Sequence, residues 1–436
     1  MSSPTVILGA GIIGVSTAYY LSQYQDPTTI HLVEPSPELF SSASGYAGGF
    51  LARDWFGPAL SALGALSFDE HRRLAEEHGG REKWGYSAAT CVSYAASAAA
   101  RDVSQARGDD WLRDGTSRAD AAPVVLDSLD GKTPTWLRRL EGDHIELISD
   151  EGTTAQVDPL LLCRFLLQEC VGRGVTLHHP AKPVAVRTDG KGELVGVCIA
   201  DTNTQSSSAE RELPCARLVI AAGSWTGQVF QTLFPSSELQ IPIKSLAGHS
   251  LLVRSPRWHA AGLEEESSKG CHAVFTTHNE GFCPEMFSRL GGHIYFAGLN
   301  SSALPLPDAA GGKAVPYAED LVQLRQAARE ILGSGSAEEA EDDLEVVREG
   351  LCFRPVTSWG APIVSRIRDR DLGAGVATRP GAGGGVFVAA GHGPWGIAMS
   401  LGTGMVLAEM VQGRELSADV SGLAFDGEKM RALYAN

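Results

Sequence analysis

The sequence predicts an α/β protein with a parallel sheet and a second domain or a sizeable insertion. Three observations support this prediction. The chain has 436 residues, more than one ordinary hydrophobic core contains. The N-terminal segment has the pattern of a strand, a glycine-rich turn and a helix, and two later segments, 218–229 and 386–411, also begin with a strand that ends in glycine. Strands that alternate with glycine-rich turns and helices are typical of parallel sheets.

The N-terminal segment "TVILGAGIIGVSTAYYLSQ" carries three glycines at the spacing of a dinucleotide-binding turn. Gly9 permits the tight turn, Gly11 lets the backbone approach a pyrophosphate, and Gly14 lets the helix pack on the strand. Ile12 and Ile13 begin that helix, whose N-terminus offers free N–H groups to phosphates. Taken alone, the pattern also fits a glycine-rich turn of any α/β protein.

The second strand, in "TIHLVEP", ends in Glu34, twenty residues after Gly14. This is where a dinucleotide site places the acid that binds an adenosine ribose. Position and context agree, so the sequence predicts dinucleotide binding.

Three further segments, 41–50, 218–229 and 386–411, bear on which dinucleotide is bound, and together with the first they favour a flavin over a nicotinamide. Residues 41–50, "SSASGYAGGF", are small up to Phe50, as a backbone lying against a flat cofactor requires. A helix that starts just after "GHGPWG" would direct its positive end at the turn, which suits the negative charge of a reduced flavin. Each segment alone also fits an ordinary strand-to-helix turn.

The composition excludes several classes of protein. A formal charge of −16, without a basic patch, argues against nucleic-acid binding. The eight cysteines show no zinc spacing, so we expect no metal site and mostly reduced thiols in a cytoplasmic protein. No apolar run approaches the roughly 18 residues of a membrane span, and no charged leader precedes the first strand.

Five motifs, in order from end to end, resemble the FAD-dependent amino-acid and amine oxidoreductases, the family of D-amino-acid oxidase, glycine oxidase and sarcosine oxidase. They are "VILGAGIIGVSTAYYL", "LVIAAGSW", "EMFSRLGGHIYFAGLN", "LCFRPVTSWGAPIVSRI" and "VFVAAGHGPWGIAMSLGTG". The resemblance implies a discontinuous Rossmann-like FAD-binding domain (1–60, 150–235 and 345–436). It also implies a second, α+β substrate-binding domain on a mostly antiparallel sheet (61–149 and 236–344).

The glycine motifs and the resemblance together give a set of expected FAD-binding residues. Backbone groups near Pro183 and Val184 would contact the adenine, and His392 is expected to contact the cofactor rather than act as a general base. The full set is Gly9, Gly11, Ile12, Ile13, Gly14, Glu34, Ser42, Ala43, Ser44, Gly48, Gly49, Phe50, Pro183, Val184, Ala222, Gly223, Trp225, Cys352, Gly391, His392, Gly393, Gly396 and Ile397.

Arg354 is the expected catalytic-site anchor, because "CFRP" matches the family motif whose arginine grips a substrate carboxylate. The alternative is a structural ion pair. Cys352 aligns with the cysteine that attaches FAD covalently in sarcosine oxidase-like enzymes, whereas members with Arg-Pro usually hold FAD without a bond. Two interpretations therefore stay open: a free buried thiol beside non-covalent FAD, or covalent attachment.

The resemblance implies oxidation of the C–N bond of an amino acid or secondary amine to an imine, with O₂ reduced to H₂O₂. The position expected to hold an oxygen-activating lysine over the flavin is Phe296. The absence of a lysine at this position motivates one alternative, a dehydrogenase with another electron acceptor. The other alternative is a non-catalytic flavin-binding protein with a regulatory or trafficking role.

We expect a monomer, although no motif bears on the oligomeric state. Residues 95–145 and 333–343 are expected to form loops, the first as surface elaboration or a lid.

Overall fold

The structure is a computed structural model that describes residues 3–95, 122, 133–139, 141–149, 152–203, 210–258, 270–277, 283–333 and 343–425. Most of the two loops predicted at 95–145 and 333–343 lies outside these residues. Within the described ranges, no helix is both long and apolar enough to cross a membrane.

The described residues form strands and helices throughout the chain. The strands are β1 (Thr5–Leu8), β2 (Ile30–Val33), β3 (Phe50–Ala52), β4 (Ser87–Ala95), β5 (His144–Ser149), β6 (Thr154–Gln156), β7 (Thr176–His178), β8 (Ala181–Thr188), β9 (Leu194–Asp201), β10 (Arg211–Pro214), β11 (Arg217–Ile220), β12 (Lys244–Arg254), β13 (Cys271–Thr277), β14 (Glu285–Arg289), β15 (His293–Ser301), β16 (Glu345–Val356), β17 (Ile363–Ile367) and β18 (Gly385–Ala390). The α-helices are α1 (Ile12–Leu21), α2 (Ala43–Tyr46), α3 (Pro58–His78), α4 (Gly80–Trp84), α5 (Pro159–Arg173), α6 (Thr226–Leu233), α7 (Ala318–Leu332) and α8 (Ser400–Gln412).

A six-stranded sheet in the order β17-β18-β11-β1-β2-β7 confirms the predicted parallel sheet. Neighbouring strands run parallel except β17, which is antiparallel to β18. β1 lies between β11 and β2, and all four of its residues are buried. Such a continuous apolar run is typical of a parallel strand covered on both faces.

Different elements cover the two faces of this sheet. Residues that alternate along the strands belong to two hydrophobic clusters, with Ile7 in one and Val6 and Leu8 in the other. Helices α1, α3, α5 and α8 contribute to the first cluster, while α6 and the antiparallel sheet β10-β9-β8 contribute to the second. The predicted α/β class with a Rossmann-like layer arrangement is therefore confirmed.

A nine-stranded sheet in the order β16-β12-β15-β14-β13-β4-β6-β3, with β5 beside β4, forms the second layer system. All its pairs are antiparallel except β4 with β13, which confirms the predicted mostly antiparallel sheet. Helix α7 packs on one face through Leu324, Ala328 and Ile331. The opposite face contributes Phe287 and Tyr295 to the cluster shared with the parallel sheet.

The predicted domain boundaries remain a proposal. Strands β3, β6 and β16 fall in ranges assigned to the FAD-binding domain, yet their backbones hydrogen-bond within the nine-stranded sheet. The chain therefore crosses between the two sheets more often than the ranges imply.

A buried guanidinium connects the nine-stranded sheet to the rest of the molecule. Arg289, on β14, is 5% exposed, and its Nη1 lies 3.0 Å from Oδ2 of Asp158. Its Nη2 donates to the carbonyl oxygens of Ala47 at 2.9 Å and Gly48 at 3.1 Å. Asp158 also caps α5, because its Oδ1 accepts the N–H of Leu161 at 3.1 Å. One side chain thus holds together a strand, a helix terminus and the loop after α2.

Arg289→Ala should lower the free energy of unfolding by about 3 kcal/mol or more, since it takes the charged donor away from the Asp158 carboxylate and the donated hydrogen bond away from the Ala47 carbonyl oxygen. Urea denaturation measures this change. The matched control is Arg254→Ala, which breaks a 3.0 Å ion pair with Glu345 whose side chains are 50% and 62% exposed. That control should cost less than about 1 kcal/mol. Equal losses in the two variants would contradict a structural function of Arg289.

Candidate active site

One elongated cavity lies between the two large sheets. The carboxyl ends of β1, β2 and β11 line one end, and residues of β14, β15 and β16 line the other. Its volume, including the open mouth, is about 1600 Å³. The same cavity thus borders both the glycine turn after β1 and three strands of the nine-stranded sheet.

The turn after β1 and the first turn of α1 each require a glycine. Gly9 has φ +99°, and a Cβ there would lie 2.5 Å from the carbonyl oxygen of Ala221. A Cβ at Gly14 would overlap the carbonyl oxygen of Gly9. Because neither position has space for a side chain, the helix begins close against the sheet, and its first turn, Ile12 and Ile13, faces the cavity.

The loop after β2 lies against the start of α1. The N–H of Ile12 donates to Oγ of Ser44 at 2.9 Å. Gly11 faces the same hydroxyl, and a Cβ there would lie 3.1 Å from it. Ser42, Ala43 and Ser44 consequently line the cavity beside the helix N-terminus, as the sequence predicts for residues near a cofactor.

Glu34 directly follows β2 and has both carboxylate oxygens fixed by backbone. Oε2 accepts the N–H of Ala10 at 2.9 Å, and Oε1 accepts the N–H of Ser36 at 3.1 Å. Burial raises the pKa of Glu34, while these two hydrogen bonds oppose the shift. The carboxylate is thus held at the end of the cavity where the sequence places the ribose.

The turn after β18 places His392 in the cavity wall. Its side chain is 4% exposed, and Nε2 lies 3.1 Å from Oγ1 of Thr403 on α8. Among the residues that the structure describes, none pairs with the buried Nδ1. Burial lowers the pKa of His392 to about 4, so the imidazole is neutral at pH 7. The α-helix begins at Ser400, later than predicted, after a short 3₁₀ turn at Gly393–Trp395.

Arg354 lies at the other end of the cavity, on β16. Its Nη1 donates to Oδ1 of Asn300 at 2.6 Å, and the hydroxyl of Tyr295 is a further hydrogen-bond partner. The guanidinium lies directly over Gly248, where any Cβ would overlap it. Burial alone would lower the pKa of Arg354, but Cys352, Tyr295 and other nearby groups outweigh it and raise the pKa. The side chain therefore stays cationic within the cavity.

Cys352 lies two residues before Arg354 and faces the same cavity. It is 2% exposed. Burial raises the pKa of the thiol, although Arg354 and Arg348 oppose the shift. The uncharged thiol is thus the favoured form.

Most of the predicted site residues line this one cavity. They are Gly9, Gly11, Ile12, Ile13, Glu34, Ser42, Ala43, Ser44, Gly48, Pro183, Ala222, Gly223, Trp225, Cys352, Arg354, His392, Gly393, Gly396 and Ile397. The other five predicted residues do not line it: Gly14, Gly49, Phe50, Val184 and Gly391. Phe50, for example, packs on Phe287 in the core. For all the predicted residues, contact with the cofactor stays a prediction.

The expectation for Phe296 is wrong. Its ring is fully buried on the far face of the nine-stranded sheet, in the cluster with α7. Tyr295, the preceding residue, faces the cavity instead. Successive side chains of a strand point to opposite faces, so a shift of one residue in the alignment reverses the assignment.

Sequence reasoning missed three residues of β14 and β15 that line the cavity: Glu285, Phe287 and Tyr295. The rings of Phe287 and Tyr295 stack, with centroids 5.9 Å apart and planes 1° apart. The alternation in "EMFSR" places Glu285 and Phe287 on one face and was the available signal.

The fold and the cavity together define a dinucleotide-binding protein. The glycine turn, the first turn of α1 and Glu34 fit the pyrophosphate and ribose of FAD, and the remaining length of the cavity reaches Arg354. The model of the family described as "FAD dependent oxidoreductase" matches residues 5–410. The chain belongs to this family, and FAD is its cofactor.

Individual proteins are similar along the whole chain. An oxidoreductase of Schizosaccharomyces pombe is 27% identical over 97% of both chains. The crystal structure of glycine oxidase from Geobacillus kaustophilus has a TM-score of 0.66 at 20% identity, covering 97% of this chain and 98% of that one. L-proline dehydrogenase from P. horikoshii has a TM-score of 0.66 at 13% identity, covering 99% and 98%. At these identities the two structures show a shared fold.

Gly14→Ala should reduce the FAD bound per protein chain severalfold, because the new methyl group would push α1 away from the turn. Absorbance of the purified protein measures this ratio. The matched control is Gly172→Ala, also within a helix, where a Cβ would meet no atom within 4 Å. It should keep its FAD and gain up to about 1 kcal/mol of stability from helix propensity. Full FAD content in both variants would show that the close approach at Gly14 is dispensable.

Proposed function

We propose that this protein oxidises the C–N bond of an amino acid or secondary amine to an imine, which water then hydrolyses. The main support for the proposal is that the guanidinium of Arg354 lies in the same cavity as the residues that fit FAD. When bound, FAD supplies the two-electron acceptor for the hydride that leaves the carbon next to nitrogen. The protein supplies binding and orientation.

The contacts of Arg354 suit an anchor for a substrate carboxylate better than a structural ion pair. Its side-chain partner at 2.6 Å is the neutral amide of Asn300, which holds one nitrogen and leaves the positive charge of the guanidinium uncompensated by that contact. A guanidinium binds a carboxylate through two parallel hydrogen bonds, which also fixes the direction of the bound molecule. Such a fixed direction is what hydride transfer requires.

We propose O₂ as the electron acceptor, with H₂O₂ as the product. The alternative is a dehydrogenase, and its support is that Tyr295 rather than a lysine faces the cavity from β15. A non-catalytic flavin-binding protein is the third candidate. The charged end of the cavity argues against it. We propose a cytoplasmic monomer. The eight cysteines all lie in the described part of the chain and none forms a disulfide, which suits a reducing compartment.

Anaerobic mixing of the purified protein with D-, L- and N-methyl amino acids and with glycated amino acids should bleach the flavin absorbance with at least one of them. Rapid recovery of the colour in air would support the oxidase, and slow recovery the dehydrogenase. A complete lack of bleaching would favour the non-catalytic candidate and contradict the proposal.

The matched variants in this experiment are Arg354→Ala and Gly248→Ala. The first removes the anchor and should raise KM for a carboxylate substrate about 10- to 100-fold, because a charge-assisted pair is lost. The second should raise KM in the same direction by displacing the guanidinium. Both should keep their FAD. An unchanged KM in Arg354→Ala would rule out the anchor.

We also propose that FAD is bound without a covalent bond to Cys352. Its support is the raised pKa of the buried thiol, because the thiolate is the form that reacts. Precipitation of the protein in acid should therefore leave the yellow colour in the supernatant, and Cys352→Ser should keep its FAD. Colour that stays with the acid-precipitated protein, and is released from Cys352→Ser, would show the covalent bond instead.

A further inference from the structure

His71 is a buried histidine that contacts the wall of the cavity from behind. It belongs to α3 and is 1% exposed, and its Nε2 lies 3.0 Å from the carbonyl oxygen of Ile397. Ile397 lines the cavity in the turn that precedes α8. The imidazole itself does not line the cavity, and the proposed reaction gives it no function.

The contact with Ile397 determines the tautomer of His71. A carbonyl oxygen accepts hydrogen bonds and does not donate them, so Nε2 carries the proton and Nδ1 does not. Burial lowers the pKa of His71 to about 4, which keeps the imidazole neutral at pH 7. Within the described residues, the buried Nδ1 has no hydrogen-bond partner. The hydrogen bond that the imidazole donates therefore goes to the cavity wall.

Two other donors to the Ile397 carbonyl belong to the turn itself. The N–H and the hydroxyl of Ser400 donate to it at 3.1 Å and 2.8 Å. Bonds between residues three apart hold the shape of a turn, whereas the bond from His71 fixes the turn to another helix. One helical turn earlier on α3, Oγ of Ser67 accepts the N–H of Gly402 at 3.1 Å. Helix α3 thus holds both the turn and the first residues of α8.

The peptide between Ile397 and Ala398 also has an N–H group, whose direction the carbonyl contact fixes. The N–H and C=O of a trans peptide point in opposite directions, so the N–H of Ala398 points away from α3. In the part of the chain that the structure describes, this N–H makes no hydrogen bond, although Ala398 is 2% exposed. Buried N–H groups nearly always have a partner, so this one indicates an acceptor on a bound molecule. Gly396 and Ile397, just before it, line the cavity that fits FAD.

We propose that His71 is a positioning residue for the cofactor, holding the Ile397–Ala398 peptide so that its N–H faces the pyrimidine side of bound FAD. Reduction places negative charge on that side of the flavin, and a fixed N–H stabilises this charge more than it stabilises the neutral oxidised form. His71 therefore raises the midpoint potential of FAD without contacting it. This function does not depend on which substrate or electron acceptor the protein uses.

The test is the midpoint potential of bound FAD, measured by anaerobic reduction of the holoenzyme together with a reference dye. His71→Leu removes the donor and keeps an apolar side chain in its place. It should weaken the binding of reduced relative to oxidised flavin about tenfold, as expected for one hydrogen bond to a charged group. For a two-electron couple this is a fall of about 30 mV in the potential. His71→Gln places an amide N–H near the position of Nε2 and should restore most of the potential.

The matched control is Ser67→Ala, which removes the hydrogen bond from the same helix to Gly402 and leaves the contact with Ile397 in place. Both Ser67→Ala and His71→Leu should lower the melting temperature, but only His71→Leu should change the potential. A wild-type potential in His71→Leu would overturn the proposal. An equal fall in Ser67→Ala would also overturn it, because any loosening of α3 against α8 would then have the same effect.

If His71→Leu does not fold or does not bind FAD, a comparison of His71→Gln with His71→Asn decides the matter. Asparagine is one methylene shorter than glutamine, so its amide ends near the position of Nδ1 and does not reach the Ile397 carbonyl. The potential should fall in His71→Asn and not in His71→Gln, and equal potentials in the two variants would refute the function of His71. No amine substrate enters these measurements, so their result is independent of the test of the proposed reaction.

Discussion

The cavity depends on one buried cation, the guanidinium of Arg289. Removing a charge from water is costly unless acceptors replace the lost hydration, and here Asp158 and the carbonyl oxygens of Ala47 and Gly48 do so. The side-chain amide of Gln156 donates to the same Gly48 carbonyl at 2.6 Å. The loop after α2 is thereby fixed to the nine-stranded sheet, while Ser44 fixes its other side to α1. Both walls of the cavity are held by these contacts.

Glycines, which have no side chain, shape the cavity as much as the side chains that line it. At Gly48 a Cβ would lie 2.5 Å from the ring of Phe287, and at Gly248 it would overlap the guanidinium of Arg354. A ring and a cation can approach the backbone closely only where no Cβ intervenes. Gly9 and Gly14 likewise let the helix at the pyrophosphate end lie close to the sheet. Close contacts at glycines therefore set the geometry at both ends of the cavity.

Local patterns predicted the parts of the molecule that local chemistry determines. The strand, turn and helix around Gly9, the acid at Glu34 and the cation at Arg354 all lie where the sequence places them, in one cavity. The register of β15 was not predictable in this way. Both faces of that strand are buried, so "IYFA" shows no alternation to distinguish Tyr295 from Phe296. Glu285 was missed because its place in one cavity with Arg354 depends on β16, a strand distant in sequence. The domain boundaries stay a proposal, and local patterns did not reveal β3 and β6, which have only three residues each.

Arg289 and Arg354 show how the surroundings of a guanidinium distinguish a structural from a binding function. Both side chains lie on the same face of the same sheet. Arg289 has a carboxylate partner and two backbone carbonyls, and burial lowers its pKa despite them. Arg354 has the neutral Asn300 amide at 2.6 Å and borders the cavity with its charge, and its neighbours raise its pKa. A cation whose acceptors all belong to the protein stabilises the fold, whereas one that faces a cavity retains hydrogen-bonding capacity for an anionic ligand. On this physical ground the two arginines of one sheet are assigned different functions.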